Sequence, residues 1–229
     1  KILIMKITYL GHAALAIEVA GKKLIVDPFI SPNPLAKDID IDALEADFIL
    51  ITHAHQDHIV DVDAIAKRTG AKIVSNFEIV THYGNLGFEG HPMNHGGSWQ
   101  FEFGRVTYTN AIHTSSFPDG SYGGQPGGFL LETEEGNLYI AGDTALTFDM
   151  KLIPMQCKLD FAVLPIGDNF TMGYESAVVA SEFIECQKVM GYHYDTFGYI
   201  EIDHASAKEA FSKAGKELIL LPVGDSVQV

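Results

Sequence analysis

The apolar positions of this chain come in short runs that polar or glycine-containing turns separate. Runs of this kind predict β-strands, because successive side chains on a strand point to opposite faces of a sheet. In the first two thirds of the chain, the predicted strands are residues 7–10, 15–19, 24–26, 47–51, 72–75, 99–103, 105–111, 129–133 and 138–140.

Helical spacing of the apolar residues predicts helices among these strands and, in the last third, in alternation with them. The predicted helices are residues 59–68, 77–86, 146–153, 175–187 and 205–214, and the later strands are residues 161–164, 188–192 and 218–221. This order indicates the α/β class. We expect one domain, residues 1–229, because no linker or block of charge divides the chain.

The segment His53-Ala54-His55-Gln56-Asp57-His58 directly follows the predicted strand at residues 47–51. Imidazoles two positions apart can converge on one ion from such a turn, and Asp57 with His58 can turn toward a second. Neutral imidazole and carboxylate are ligands that suit zinc, iron or manganese. The segment therefore predicts a metal site at the end of a strand.

Three further predicted strands end close to a histidine or an aspartate. His113 follows the strand at residues 105–111, Asp143 follows residues 138–140, and His193 follows residues 188–192. Loops at strand ends place side chains on a rigid frame, so we expect these residues to gather around the same site.

Composition limits the classes of partner. The net charge of −15 argues against a broad surface for nucleic acid, and two bound dications would reduce it only to about −11. No run approaches the ~20 apolar residues of a membrane span, and the two cysteines form no disulfide framework. We expect a cytoplasmic protein with no membrane partner, and we interpret Met5 as its natural start.

The sequence resembles the metallo-β-lactamase superfamily. The H-x-H-x-D-H signature stands at residues 53–58, and His113, Asp143 and His193 match the order of the superfamily's remaining ligands. Asp27 matches an early aspartate that supports the site. Within the superfamily the chain is similar to a branch of small, largely uncharacterised microbial metal-dependent hydrolases. The segments that carry this likeness are residues 9–13, 27–29, 165–173 and 193–197.

The resemblance implies an αββα sandwich of two mixed β-sheets with helices on the outer faces. It also implies a dinuclear centre with two divalent ions, zinc being expected and manganese or iron remaining open. His53, His55 and His113 would hold the first ion, Asp57, His58 and His193 the second, and Asp143 would bridge both. Water activated by the two ions would be the nucleophile, and Asp57 could orient it or take its proton. Asp27 would fix the direction of a ligand.

Two departures from relatives narrow the chemistry that the resemblance implies. The second site lacks the cysteine of dinuclear β-lactamases, which argues against that activity. His55 stands where di-iron relatives that reduce oxygen or nitric oxide carry a glutamate, and this favours hydrolysis over redox chemistry.

Other residues carry weaker hypotheses. His12 could bind substrate or donate a proton, or be a buried hydrogen-bonded histidine. His204 is a rival of His193 as last ligand, but it begins a predicted helix. Asp168, Thr171 and Tyr194 are expected near the pocket. The glycine-rich segment 114–128 could be a lid or an ordinary loop.

The sequence favours a hydrolase that cleaves an ester-type bond, a phosphoester, phosphodiester or lactone, in a small molecule. A ribonuclease-type phosphodiesterase is an alternative, although no RNA-gripping insertion is present. A metal-binding sensor without turnover is another, and a complete ligand set argues against it. A homo-oligomer remains open.

Overall fold

The computed structural model describes residues 4–229, so the first three residues, which precede the start that we interpret at Met5, lie outside the described part. Fourteen strands and five α-helices make up this part of the chain. None of these helices combines the length and the apolar composition that crossing a bilayer requires.

The first sheet holds seven strands in the order β14-β1-β2-β3-β4-β5-β6. Strands β1, β2 and β3 pair antiparallel with one another. Strands β3, β4, β5 and β6 pair in parallel. The strands are β1 (Lys6–Gly11), β2 (Ala14–Val19), β3 (Lys22–Val26), β4 (Phe48–Leu50), β5 (Lys72–Asn76), β6 (Gly90–Met93) and β14 (Ser226–Gln228).

The second sheet repeats this arrangement, with the order β13-β12-β11-β10-β9-β8-β7. Strands β7 to β10 are antiparallel, and β10 to β13 are parallel. The strands are β7 (Ser98–Phe101), β8 (Gly104–Asn110), β9 (Gly127–Thr133), β10 (Gly136–Ile140), β11 (Phe161–Pro165), β12 (Lys188–Tyr192) and β13 (Glu217–Ile219).

Three hydrophobic clusters hold the layers together. One lies between the two sheets, and the other two lie between each sheet and its outer helices. In β3, Leu24 and Val26 belong to the inner cluster while Ile25 belongs to the outer one. Both faces of this strand are buried, which is why its apolar residues are consecutive.

The helices lie on the outer faces, so the predicted αββα sandwich of two mixed sheets is confirmed. Residues of α2 (Val62–Thr69) and α3 (Phe77–Asn85) pack on the first sheet. Residues of α4 (Tyr174–Phe183) and α5 (His204–Lys213) pack on the second.

The helix predicted at residues 59–68 is in fact two helices, α1 (Gln56–Ile59) and α2. The N–H of Asp61 donates to Pro28 O at 3.1 Å, so the chain leaves helical bonding between them. The helix predicted at residues 146–153 is a short 3₁₀ helix, Phe148–Leu152. The N–H of Ile153 donates to Met150 O at 3.1 Å, and Pro154, which follows, has no N–H with which to continue helical hydrogen bonding.

Two strands were not predicted. Strand β6 contains a glycine, a histidine and a proline, and β14 has a single apolar residue between two polar ones. Strand β14 pairs with β1, so the chain does not close with the strand predicted at residues 218–221. Neither sequence has strand periodicity. Pairing with a neighbouring strand, together with the packing of Met93 and Val227 on the inner cluster, holds these edges in place.

Candidate metal centre

Histidines and aspartates gather where strands from both sheets end. Asp27 directly follows β3, His53 lies three residues beyond β4, and His193 directly follows β12. His113 and Asp143 each lie three residues beyond the end of β8 and β10. The structure thus brings together the side chains that the strand-end argument grouped.

The first group consists of His53, His55 and His113. One ring nitrogen of each lies within 4.8 Å of the others. His53 Nε2 and His55 Nδ1 are 3.0 Å apart, so two imidazole nitrogens point toward a common position. His53 is completely buried, whereas His55 and His113 are partly exposed.

The second group consists of Asp57, His58 and His193, with His12 beside them. One ligand atom of each of these four residues lies within 4.8 Å of the others. Asp57 and His58 lie on α1, which begins at Gln56, and the ring of His58 lies 4.1 Å from the ring of His53, so the two groups adjoin each other. The histidines are buried, and the Asp57 side chain is 29% exposed.

Asp143 lies between the two groups. Its Oδ2 is 2.9 Å from His193 Nε2 and 3.3 Å from His58 Nε2 on one side. On the other side it is 3.6 Å from His113 Nε2 and 3.9 Å from His53 Nε2. A carboxylate in this position can interact with a cation in either group.

Several buried polar atoms of the cluster have no hydrogen-bond partner in the described part of the chain. They are His58 Nε2, Asp143 Oδ1 and both ring nitrogens of His193. A buried polar atom without a partner costs about 1–3 kcal/mol, so such a concentration needs a compensating interaction. Coordination of a cation supplies one, and the set of imidazole nitrogens and carboxylate oxygens fits zinc, manganese or iron.

Asp27 and Thr52 fix the directions of two histidines. His58 Nδ1 donates to Asp27 Oδ2 at 2.8 Å, and Asp27 also accepts from the Thr52 N–H at 2.8 Å and the Thr52 hydroxyl at 2.6 Å. His53 Nδ1 lies 3.0 Å from Thr52 Oγ1, whose own proton goes to Asp27. Both histidines therefore turn Nε2 toward the centre of the cluster.

Asp27 is also within 4.8 Å of His53 and His58 nitrogens, which makes it a geometrical candidate for a ligand. Both of its carboxylate oxygens already accept hydrogen bonds, however. Its contacts match those of a residue that orients candidate ligands by hydrogen bonds instead of binding the cation itself.

His12 is completely buried beside the second group. Its Nε2 lies 3.0 Å from Asp57 Oδ2, and its Nδ1 lies 2.9 Å from Thr196 Oγ1. Burial and the neighbouring His193 lower the pKa of His12 to about 4, so the ring is neutral. Because a carboxylate only accepts, the single ring proton belongs on Nε2, and the Thr196 hydroxyl donates to Nδ1.

The two groups have different electrostatic character. Burial lowers the pKa of His53, His55 and His113, which keeps these imidazoles neutral as metal ligands must be. Burial also lowers the pKa of His58, but the carboxylates of Asp143 and Asp27 outweigh it and hold that pKa well above its usual value. The surroundings of His58 thus favour positive charge on that ring.

The remaining candidates lie outside the cluster. His204 is half exposed and bonds Asp195 through Nε2 at 2.6 Å. Asp168 is exposed, and its backbone closes a turn with Thr171 and Met172. Tyr194 is buried in the hydrophobic cluster between the second sheet and its helices.

The segment 114–128 is anchored to the cluster at several points. The Ala54 N–H donates to Ser115 Oγ at 3.1 Å, and the Asn76 side chain donates to Gly123 O and Gln125 O. Its tip, residues 118–122, is exposed. If segment 114–128 acts as a lid, its tip must move relative to the cluster. The lid role remains a prediction.

The sequence analysis did not identify the roles of Thr52 and Thr196, which contact Asp27, His53 and His12. Thr52 stands between β4 and His53, so a hydroxyl residue at the strand end was a usable signal. Thr196 meets His12 across 184 positions of sequence, and only the folded chain reveals that contact.

Comparisons with known proteins agree with this arrangement. The profile of the family described as "Beta-lactamase superfamily domain" matches residues 6–193. The chain is 67% identical to a "UPF0173 metal-dependent hydrolase" of Christiangramia forsetii, over 98% of this chain and 100% of that protein. It is 64% identical to a protein of the same description from Flavobacterium johnsoniae, again over 98% and 100%.

Among solved structures, the fold is similar to that of Igni18, described as a novel metallo hydrolase from Ignicoccus hospitalis. The TM-score is 0.90 and the sequence identity is 34%, and the match covers 99% of this chain and 98% of that one.

Proposed function

Because the chain belongs to the beta-lactamase superfamily and is one of its metal-dependent hydrolases, we propose that it cleaves an ester-type bond in a small molecule with two divalent ions. The observation that carries this proposal is the position of Asp143 between two groups of candidate ligands. Zinc is the ion that we propose, because all three members of the first group and two of the three members of the second are imidazoles.

In this proposal His53, His55 and His113 hold one ion, and Asp57, His58 and His193 hold the other, with Asp143 shared. When bound, two such ions would supply Lewis acidity and would lower the pKa of water toward neutral pH. No serine or cysteine nucleophile is then required, and the buried thiol of Cys186 has no part in the reaction.

Asp57 is the member of the second group that solvent and substrate can reach, since 29% of its side chain is exposed. Its Oδ2 is held by His12 Nε2, which restricts the rotation of the carboxylate. Burial raises the pKa of Asp57, but the His12 hydrogen bond and the nearby His58 outweigh it and lower that pKa well below its usual value. Asp57 is therefore ionised, and its carboxylate can orient a water molecule by accepting a hydrogen bond from it.

A small molecule is the substrate that we propose in preference to RNA. The net charge of −15 repels a polyanion, whereas RNA binding relies on salt-dependent attraction to a basic surface.

The test is an initial-rate comparison of zinc-loaded and manganese-loaded protein on a phosphodiester, a phosphomonoester and a lactone. Asp57→Ala is the variant, and Asp63→Ala, an exposed aspartate on α2, is the matched control. We expect hydrolysis that Asp57→Ala abolishes and Asp63→Ala preserves. If metal-loaded protein hydrolyses none of the three substrates, the result contradicts the proposal and favours a metal-binding sensor.

A further inference from the structure

The loops around the metal centre contain no basic side chain. Segments 11–14, 27–33, 52–58, 110–128, 141–147, 166–173 and 193–203 supply or border the candidate ligands, and their sequences include neither lysine nor arginine. Basic residues instead pair with acids elsewhere on the surface, as in Lys22 with Glu102 and Lys23 with Glu45.

An anionic substrate would meet acidic side chains at this end of the molecule. Asp119, Asp168 and Asp195 all belong to these loops. Proteins that bind phosphate or carboxylate groups commonly use arginine or lysine in addition to any metal, because charged hydrogen bonds orient the anion. A substrate with extra negative charge would therefore lack partners here beyond the metal ions.

Next to the candidate ligands, the structure has aromatic side chains instead of lysine or arginine. The ring of Phe197 lies 5.2 Å from the ring of His12, and the ring of Phe29 lies 5.4 Å from it. Phe197 is 37% exposed, so part of this side chain next to His12 remains accessible.

Two further exposed aromatic residues lie on the loops next to the candidate ligands, Tyr199 in the 3₁₀ turn that directly follows Phe197 and Phe170 on a neighbouring loop. Phe170 is 51% exposed and Tyr199 is 79% exposed, and their rings lie 6.2 Å apart. The loop that carries Phe170 rests against the ligand segment, because Gly167 packs so closely on His193 O that a Cβ there would lie 2.1 Å away.

The turn that presents Phe170 has left-handed backbone at Asp168 and Asn169, whose φ angles are 61° and 54°. Aspartate and asparagine adopt this conformation more readily than other residues besides glycine, so the turn suits its sequence. Exposed aromatic side chains that gather at one rim are a feature of binding surfaces.

We infer that the substrate is an uncharged ester, of the lactone class, whose apolar ring packs against Phe197, Phe170 and Tyr199. This inference rests on the proposed hydrolytic function and narrows it, since it disfavours phosphomonoesters. The ester group would lie at the metal centre, and the three aromatic side chains bind the part of the substrate that does not react.

The first arm of the test varies substrate charge without changing the bond that breaks. Zinc-loaded protein is given 3,4-dihydrocoumarin and its 6-carboxylate, in which the charge lies on the benzene ring away from the lactone. We expect kcat/KM to be at least tenfold lower for the carboxylate. An equal or higher value for the carboxylate would overturn the inference.

The second arm varies the aromatic surface. For Phe170→Ala and Tyr199→Ala, we expect KM for 3,4-dihydrocoumarin to rise about fivefold while kcat stays within twofold, since the rings touch the unreactive part. KM for the aliphatic δ-valerolactone should not change. Trp99→Ala, on the outer strand β7 and 56% exposed, is the matched control and should leave both substrates unaffected. Unchanged KM values in the two rim variants would overturn the inference.

A third arm separates this inference from the proposed function. If zinc-loaded protein hydrolyses neither lactone, the proposed ester hydrolysis fails, and binding of the non-hydrolysable lactam 3,4-dihydroquinolin-2-one is then measured by saturation-transfer NMR. Binding to wild type that weakens in Phe170→Ala and Tyr199→Ala supports the aromatic subsite. No binding to wild type, or equal binding to the variants, overturns it.

Discussion

Replacing Asp27 with asparagine should weaken metal binding without removing any proposed ligand. Asp27 accepts three hydrogen bonds, two from Thr52 and one from His58 Nδ1. An asparagine keeps one accepting oxygen, but its amide nitrogen would face a buried donor. The left-handed backbone at this position, with φ of 43°, remains accessible to asparagine, so the backbone itself adds little strain.

The expected magnitude has two parts. The variant loses the charged hydrogen bond from His58, and its amide N–H faces another buried donor. Together these changes should lower the free energy of unfolding of the metal-free protein by about 2 kcal/mol. For a chain of this size that lowers the midpoint of thermal unfolding by about 4–8 °C. Because His58 also loses the partner that fixes its tautomer, metal affinity should fall about 10–100-fold.

The assay combines chelator competition for zinc with thermal unfolding in the presence of a chelator. Asp61→Asn is the control, since Asp61 is also buried and accepts from Ile30 N at 2.6 Å and Ser31 N at 2.9 Å, but bonds none of the proposed ligands. Both variants should lose stability, and only Asp27→Asn should lose affinity. Unchanged zinc affinity in Asp27→Asn would refute the argument that Asp27 orients a ligand.

Three further predictions follow from individual contacts. His12→Ala should lower kcat about tenfold or more by releasing Asp57, and His12→Gln, whose amide can reach the same carboxylate, should recover part of the rate in steady-state kinetics. His193→Ala should reduce zinc content measured by mass spectrometry, whereas His204→Ala should not, because that side chain is half exposed and outside the cluster. Burial raises the pKa of Cys157 to about 11, so its alkylation at pH 8, followed by mass spectrometry, should be about 100-fold slower than that of a thiol with pKa near 9; equal rates would contradict this.

The cluster was predictable because each of its members follows a strand with a recognisable apolar run. The strands before His53 and His193 are almost wholly buried, and such strands have an unmistakable sequence pattern. Once parallel strands are predicted, their ends lie at one edge of a sheet, and a gathering of histidines there follows from geometry.

The rest of the site depends on contacts between residues that are distant in sequence. No periodicity shows that Thr196 bonds His12, or that the Thr52 hydroxyl joins Asp27 to His53. Strand β14 is similar, because only its pairing with β1 makes Ser226–Gln228 a strand. Such features arise from the packing of the whole chain rather than from local propensity.

The measurement that tests the central claim most directly is anomalous X-ray scattering at the zinc edge from crystals of zinc-loaded protein. The account predicts two peaks on the two sides of Asp143, one among His53, His55 and His113 and one among Asp57, His58 and His193. A single peak, or zinc bound elsewhere on the chain, would contradict the proposed dinuclear centre.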